Sequence, residues 1–399
     1  MSVHVTEPHL QTARKLVEKA HAHGGLAPLD LERFWADQDK AGKDPFAADC
    51  PQVALGIWMS HECVFAELGE PEQWGKLIHD EAYRLGLCRR YNDLSEKIVG
   101  RRLLSEAASN PAHNLPRVKE LHDIFEGRNT WHEESWSYWL HSAAEDEDQL
   151  KALLDRVEAR LDNLRAFLLP EGWAEAKARV LAAGGKVGLY RGQRGPVTFA
   201  MSIFGVEKLI FLILDNPELA ARYRDLILRA MLERARILDE EASFTPETAP
   251  HGFGFADDNC CMLNAEMYEF FGWPILKAAF DRYCPAPGDW RFQHSDSDMG
   301  HLLPLLGKLN FSAVNFGPNL TVTEIRNHMP RTVIDGQLAP FTFCRNEEVN
   351  IVAEFLRDFE MARATRGLKF ATAGSINNGS RLTGLRLIMA AIQEYGRYA

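Results

Sequence analysis

The chain has 399 residues, 46% apolar and 25% charged, which is an ordinary globular balance with ample material for a large core. Its net charge of −11, from 45 basic and 56 acidic residues, opposes phosphate backbones and anionic headgroups, so neither nucleic acid nor membrane is an expected partner. Seven scattered cysteines without a CxxC pair suit buried thiols better than a disulfide framework or a zinc knuckle.

The opening MSVHVTEPHL lacks a basic and then apolar leader pattern, and the longest apolar run, Leu209–Leu214, is too short for a bilayer. A cytoplasmic location is the expectation. Residues 1–50 read as a helical extension. Leu10, Ala13, Leu16, Val17 and Ala20 recur at helical spacing until Gly24-Gly25, and Asp30 is placed to cap a second short helix.

From residue 51 the pattern changes. PQVALGIWMSHECVF supplies a first strand, with an apolar core over Val53–Trp58 that ends in polar Ser60, His61 and Glu62. Residues 71–184 read as a large, mostly helical insertion. Within it Trp131, Trp136 and Trp139 cluster at helical spacing, and the acidic run Glu145–Asp148 suits the start of a helix. KVGLY (186–190) reads as a strand, and Asn216-Pro217 as the cap and first residue of a helix reaching about Ser243.

Further strands are expected near 252–256, 290–294, 312–316, 331–335 and 368–373. Helical patterns separate them at 265–282, 299–309, 322–329 and 346–365, and a last one covers 383–396. Such alternation demands parallel pairing. The fold class expected is α/β, a (β/α)8 TIM barrel over 51–399 carrying the N-terminal extension 1–50. Seven strands are placed, and an eighth is expected inside 71–184.

These apolar runs end in residues with chemistry. They deliver Asp257-Asp258, then His294, Asp296 and Asp298, then Asn315, Asp335 with Gln337, and Ser375. Polar groups at C-terminal strand ends are how a barrel builds an active site. Alternate residues of a strand share a face, so His294 and Asp296 form a candidate acid–base pair or the ligands of a divalent metal such as zinc. Asp257 and Asp258 could share a proton, ligate a metal or orient His294, with Asp258 the favoured catalytic candidate, and helix capping is the alternative use of all these acids. His61 and Glu62 are further catalytic candidates. Trp58, Met59, Arg191, Asn315 and Gln337 are candidate substrate contacts.

Four segments resemble the uroporphyrinogen decarboxylase superfamily, which includes corrinoid-linked methyltransferases. They are VGLYRGQRGPVTFAMSIFGVEKLIFLILDNPELAARYRDLI, FADDNCCMLNAEMYEFFGWPILKAAFDRY, FQHSDSDMGHLLPLLGKLNFSAVNFGP and VIDGQLAP, in the family's order. The likeness spans about 185–396. Three departures bear on activity. Where the decarboxylases carry a basic motif after the first strand, this chain has GIWMSHEC, and Ser375 stands where they have a histidine. Where thiol-dependent methyltransferases have His-x-Cys, it has His294-Ser295-Asp296.

The resemblance therefore implies removal or transfer of a one-carbon unit from a small apolar, aromatic substrate. Its leading form is a methyltransferase of the O-demethylase type. There His294 and Asp296, with Asp258, stabilise the leaving phenolate, and the methyl group passes to a corrinoid supplied by a separate protein. A lyase that decarboxylates or releases formaldehyde, and a non-catalytic ligand-binding barrel, stay open beside it. Superfamily members are often dimers, so a homodimer is expected.

Overall fold

The computed structural model describes residues 4–132 and 137–398. Nine strands occur among them: β1 (Ala54–Leu55), β2 (Arg128–His132), β3 (Ser137–His141), β4 (Gly192–Arg194), β5 (Phe253–Ala256), β6 (Arg291–Ser295), β7 (Ala313–Phe316), β8 (Val333–Leu338) and β9 (Leu368–Thr372). Seven of them form one parallel sheet in the order β1-β9-β8-β7-β6-β5-β4. Helices separate its strands in sequence, so the fold is α/β with the strand–helix order of a TIM-like protein. The sheet has seven strands among the described residues, where eight were expected.

The chain divides into two compact units. The first comprises Met1–Ala108, His294–Gly300 and Ser312–Ala399, and the second Ser109–Gln293 and His301–Phe311. In the first unit the helix Glu7–Ala22 buries Ala13, Leu16, Val17 and Ala20, the stripe read from its spacing. It packs on the helices Glu348–Ala362 and Leu382–Tyr395. Asp30 caps the helix Leu31–Ala41 by accepting from the Arg33 amide at 3.1 Å.

That second helix also covers the outer side of the two-residue β1. Gln38 accepts from the Leu55 amide at 2.8 Å and donates to the Leu55 carbonyl at 3.1 Å. One side chain thus stands in for a neighbouring strand at Leu55, satisfying backbone groups that a sheet edge leaves open. On its other side β1 pairs with β9, Ala54 against Lys369.

In the second unit Asn216 caps the helix Pro217–Glu241, whose buried face includes Tyr223, Leu226, Ile227, Ala230 and Met231. Asp146 caps the helix Glu147–Leu161 through the Gln149 amide at 2.8 Å, which accounts for the acidic run there. Two expectations fail in this unit. KVGLY forms no strand; β4 begins at Gly192 and pairs with β5 in the register Gly192 to Gly254. The apolar alternation of 186–190 instead buries Val187 and Tyr190, whose ring meets Phe253 edge-on at 5.6 Å.

The tryptophan cluster is not helical either. Trp131 and Trp139 lie on β2 and β3, which pair antiparallel with Trp131 opposite Tyr138 and Thr130 opposite Trp139. Trp136 lies outside the described residues. Among the described residues, no single helix is long and apolar enough to cross a membrane.

A buried ion pair braces β8. Arg357 Nε lies 2.7 Å from Asp358 Oδ1, with the two side chains 4% and 0% exposed. Arg357 also donates to the Gln337 carbonyl at 3.0 Å, and Asp358 accepts from the Gln337 amide at 3.3 Å. Asp358→Ala leaves the guanidinium buried without that partner. It is expected to lower unfolding free energy by about 3–5 kcal/mol, and a denaturant midpoint equal to wild type would exclude this role.

Candidate functional site

Parallel strands present their C-terminal residues along one edge. In the first unit residues at or near the ends of β6, β7 and β9 and one in the middle of β8 meet through one carboxamide. Asn315 Nδ2 donates to the Asp335 carbonyl at 2.5 Å and to the Thr372 carbonyl at 2.9 Å. Both are acceptors only, so the amide cannot be turned the other way round. Its Oδ1 therefore faces His294, whose Nδ1 lies 2.7 Å away.

An amide oxygen only accepts, so His294 carries its proton on Nδ1. In the neutral ring the lone pair is then on Nε2, the nitrogen that can ligate a metal or take a proton.

Asp296 follows β6 by one residue and is held through its backbone by two glycines. A Cβ on Gly317 would stand 2.6 Å from the Asp296 carbonyl oxygen, closer than any side chain tolerates. Gly374, at a φ of +121°, would place a Cβ 3.1 Å from Asp296 Cβ. The Gly317 amide also donates to the Ser295 carbonyl at 2.8 Å. Asp296 and Asp298 are both exposed.

Asp335, read as a strand-end residue but not chosen for the site, is placed beside Lys369 by the β8–β9 register. Lys369 Nζ lies 3.5 Å from Asp335 Oδ1. Burial pushes the Asp335 carboxyl toward its protonated form, and the Lys369 charge opposes that. The signal that could have found this pair is the charged Lys369 within the otherwise apolar LKFA run.

Four sequence candidates have other surroundings than expected. Gln337 is fully buried, and its Nε2 donates to the Gly317 carbonyl at 3.0 Å and the Leu320 carbonyl at 2.8 Å. It fixes the loop after β7 rather than offering that group to a ligand. Trp58 is 79% exposed while Met59 is buried, so the pair does not form one apolar wall. Arg191, in the second unit, is paired with Asp239 at 2.7 Å and also donates to the Pro250 and Tyr190 carbonyls. Its guanidinium is committed to the fold.

His61 and Glu62 begin a short 3-10 turn, in which Ser60 accepts from the Glu62 amide at 3.2 Å. His61 Nε2 is buried without a hydrogen-bond partner among the described residues. Burial, and then the charge of Arg84, lowers the His61 pKa, which favours a neutral ring. Desolvation raises that of Glu62.

In the second unit the two adjacent acids have separate places. Asp257 is fully buried and accepts from the Thr198 amide at 2.8 Å, in the first turn of the helix Pro196–Phe204. The Thr198 hydroxyl in turn accepts from the Asn259 amide at 2.9 Å. Asp257 is thus a capping group, the alternative use read for such acids. Asp258 opens the turn Asp258–Met262 and is partly buried.

No family model matches the chain, and a search of curated proteins finds no match either. Among solved structures, a methyltransferase from Methanosarcina mazei matches with a TM-score of 0.53 at 15% identity. The match covers 92% of this chain and 99% of that one. At that identity the likeness establishes a shared fold.

Two outcomes check this geometry. Ring nitrogen shifts of His294 are expected to show Nδ1 protonated in the neutral form, and Asn315→Leu should remove that preference; a dominant Nε2–H form in wild type would contradict it. For Asp257, burial raises the carboxyl from 3.8 to about 7, so the folded state holds a proton that the unfolded chain has released. Its stabilising contribution is full below about pH 4 and is lost as pH rises to about 7. Urea midpoints of Asp257→Asn across that window should fall less steeply than those of wild type.

Proposed function

We propose that this chain is a methyl-transfer enzyme of the uroporphyrinogen decarboxylase-like group, acting on the methyl ether of a small aromatic molecule. The observation that carries the reading is the fixed His294 ring, whose Nε2 lone pair is set by Asn315, on a fold shared with a methyltransferase. The four-segment resemblance supports the same group. His294 and Asp296 are the proposed catalytic pair.

The donor set fits a divalent cation. It combines an imidazole nitrogen of fixed tautomer with a carboxylate, and Asp296 and Ser375 stand where the thiol-dependent relatives carry cysteine. Nitrogen and oxygen donors suit a harder ion than a thiolate set does. When bound, such a cation supplies Lewis acidity toward the ether oxygen. His294 and Asp296 would hold it, and Asn315 keeps the His294 ring in the orientation that doing so requires.

In the proposed step the bond between the methyl carbon and the ether oxygen breaks. The methyl group would be accepted by a corrinoid carried by a separate protein, which would supply the nucleophile. The electron pair stays on oxygen as a phenolate, which then takes a proton from solvent. His294 and Asp296 would stabilise the charge that develops on that oxygen by holding a cation there, which the Nε2 lone pair and the carboxylate do not do by themselves.

A second reading has its own observation. Asp335, desolvated beside Lys369, is a carboxyl of raised proton affinity within β8, which suits acid–base cleavage of a carbon–carbon bond. A methoxyaromatic incubated with cob(I)alamin is expected to give the methylcobalamin absorbance with the wild-type chain. His294→Ala should lower that rate at least about a hundredfold with the far-ultraviolet spectrum unchanged. Carbon dioxide or formaldehyde released without corrinoid would favour the lyase, and neither product in either assay would overturn both. A chelator that slows wild type but not residual His294→Ala turnover would support the cation.

A further inference from the structure

The second unit contains a cavity of about 600 Å³ that the reaction proposed above does not use. Leu115, Leu140, Trp173, Tyr190 and Phe199 contribute its apolar and aromatic walls. A volume of this size suits a small organic ligand rather than a few waters. An adjoining cavity of about 460 Å³ shares Glu120, His122 and Asn129 with it.

One lining residue is out of place unless a ligand accompanies it. Arg234 projects from the helix Pro217–Glu241 and is largely desolvated, which lowers its pKa. Its Nε donates to the Lys119 carbonyl at 3.1 Å, and its guanidinium lies 4.3 Å from the centre of the Tyr190 ring. Among the described residues no carboxylate lies within ion-pair distance of it.

Other acids of this region already have partners. Glu120 lies 3.4 Å from His122 Nδ1, and Asp123 accepts from Arg117 at 2.7 Å. Glu120 and Asp123 act on Arg234 through space without a direct ion pair, and a carboxylate offered to its two terminal nitrogens makes the strongest geometry available to it.

We propose that this cavity binds an aromatic carboxylate, its acid group on Arg234 and its ring among Tyr190, Phe199 and Trp173. The ring supplies the apolar area that these walls require, and the Arg234 guanidinium already lies over the Tyr190 ring. This site is independent of the His294 reading.

Titration calorimetry with benzoate, its neutral isostere benzamide and inorganic phosphate tests the proposal. Benzoate is expected to bind at least tenfold more tightly than benzamide. Arg234→Gln should remove that difference by weakening benzoate alone. Arg234→Lys keeps the charge without the planar fork and should lie between, which keeps the test valid if the glutamine variant does not fold. His294→Ala should leave benzoate affinity unchanged, which separates this cavity from the proposed reaction site. Equal affinity for benzoate and benzamide, undiminished benzoate binding by Arg234→Gln, or binding of phosphate alone would each overturn the proposal.

Discussion

The carboxamide of Asn315 is the constraint on which the candidate site depends. It donates to backbone carbonyls of β8 and β9 while sitting at the end of β7, and it accepts from a histidine at the end of β6. Four strands are thereby held to one polar group that has no alternative arrangement. The result is chemical as well as mechanical, because a histidine with a settled tautomer has a defined reactive nitrogen. A residue that made only one of these bonds would position the ring but leave its proton free to move.

The other supports of the first unit act on the same small region. Gln337 fixes the carbonyls after β7, and the Arg357–Asp358 pair fixes the backbone of Gln337 in turn. Gly317 and Gly374 then let Asp296 approach at a distance that a side chain would prevent. These residues touch no substrate in the proposed reaction. They set where the His294–Asp296 segment lies, which is the usual role of buried polar groups around a reactive pair.

Charge is organised differently in the second unit. Arg191 and Asp239 neutralise one another against the fold, and Asp257 is held at the start of a helix where burial favours its protonated form. Arg234 breaks that pattern, since its direct contacts are a carbonyl and an aromatic face, and Glu120 and Asp123 act on it without an ion pair among the described residues. Buried charges that the fold itself satisfies contribute structure, whereas one that it leaves incomplete points to a ligand.

Much of the element order was legible in the sequence because periodicity and caps are local. The stripe of the helix Glu7–Ala22, the Asp30 and Asn216 caps, and the strands from Phe253 onward follow from spacing alone. Strand-end polarity likewise marked His294 and Asn315. Pairing is not local, and there the reading failed. KVGLY has a strand's alternation but buries its side chains without a ladder, while the tryptophans at 131 and 139 have helical spacing in a hairpin. The uses of Arg191, Gln337 and Trp58 were equally hidden, since each depends on partners or exposure that only folding sets. Sequence determined which residues could do chemistry; the tertiary structure decided which of their atoms were already committed, because hydrogen bonds and burial join residues far apart in the chain.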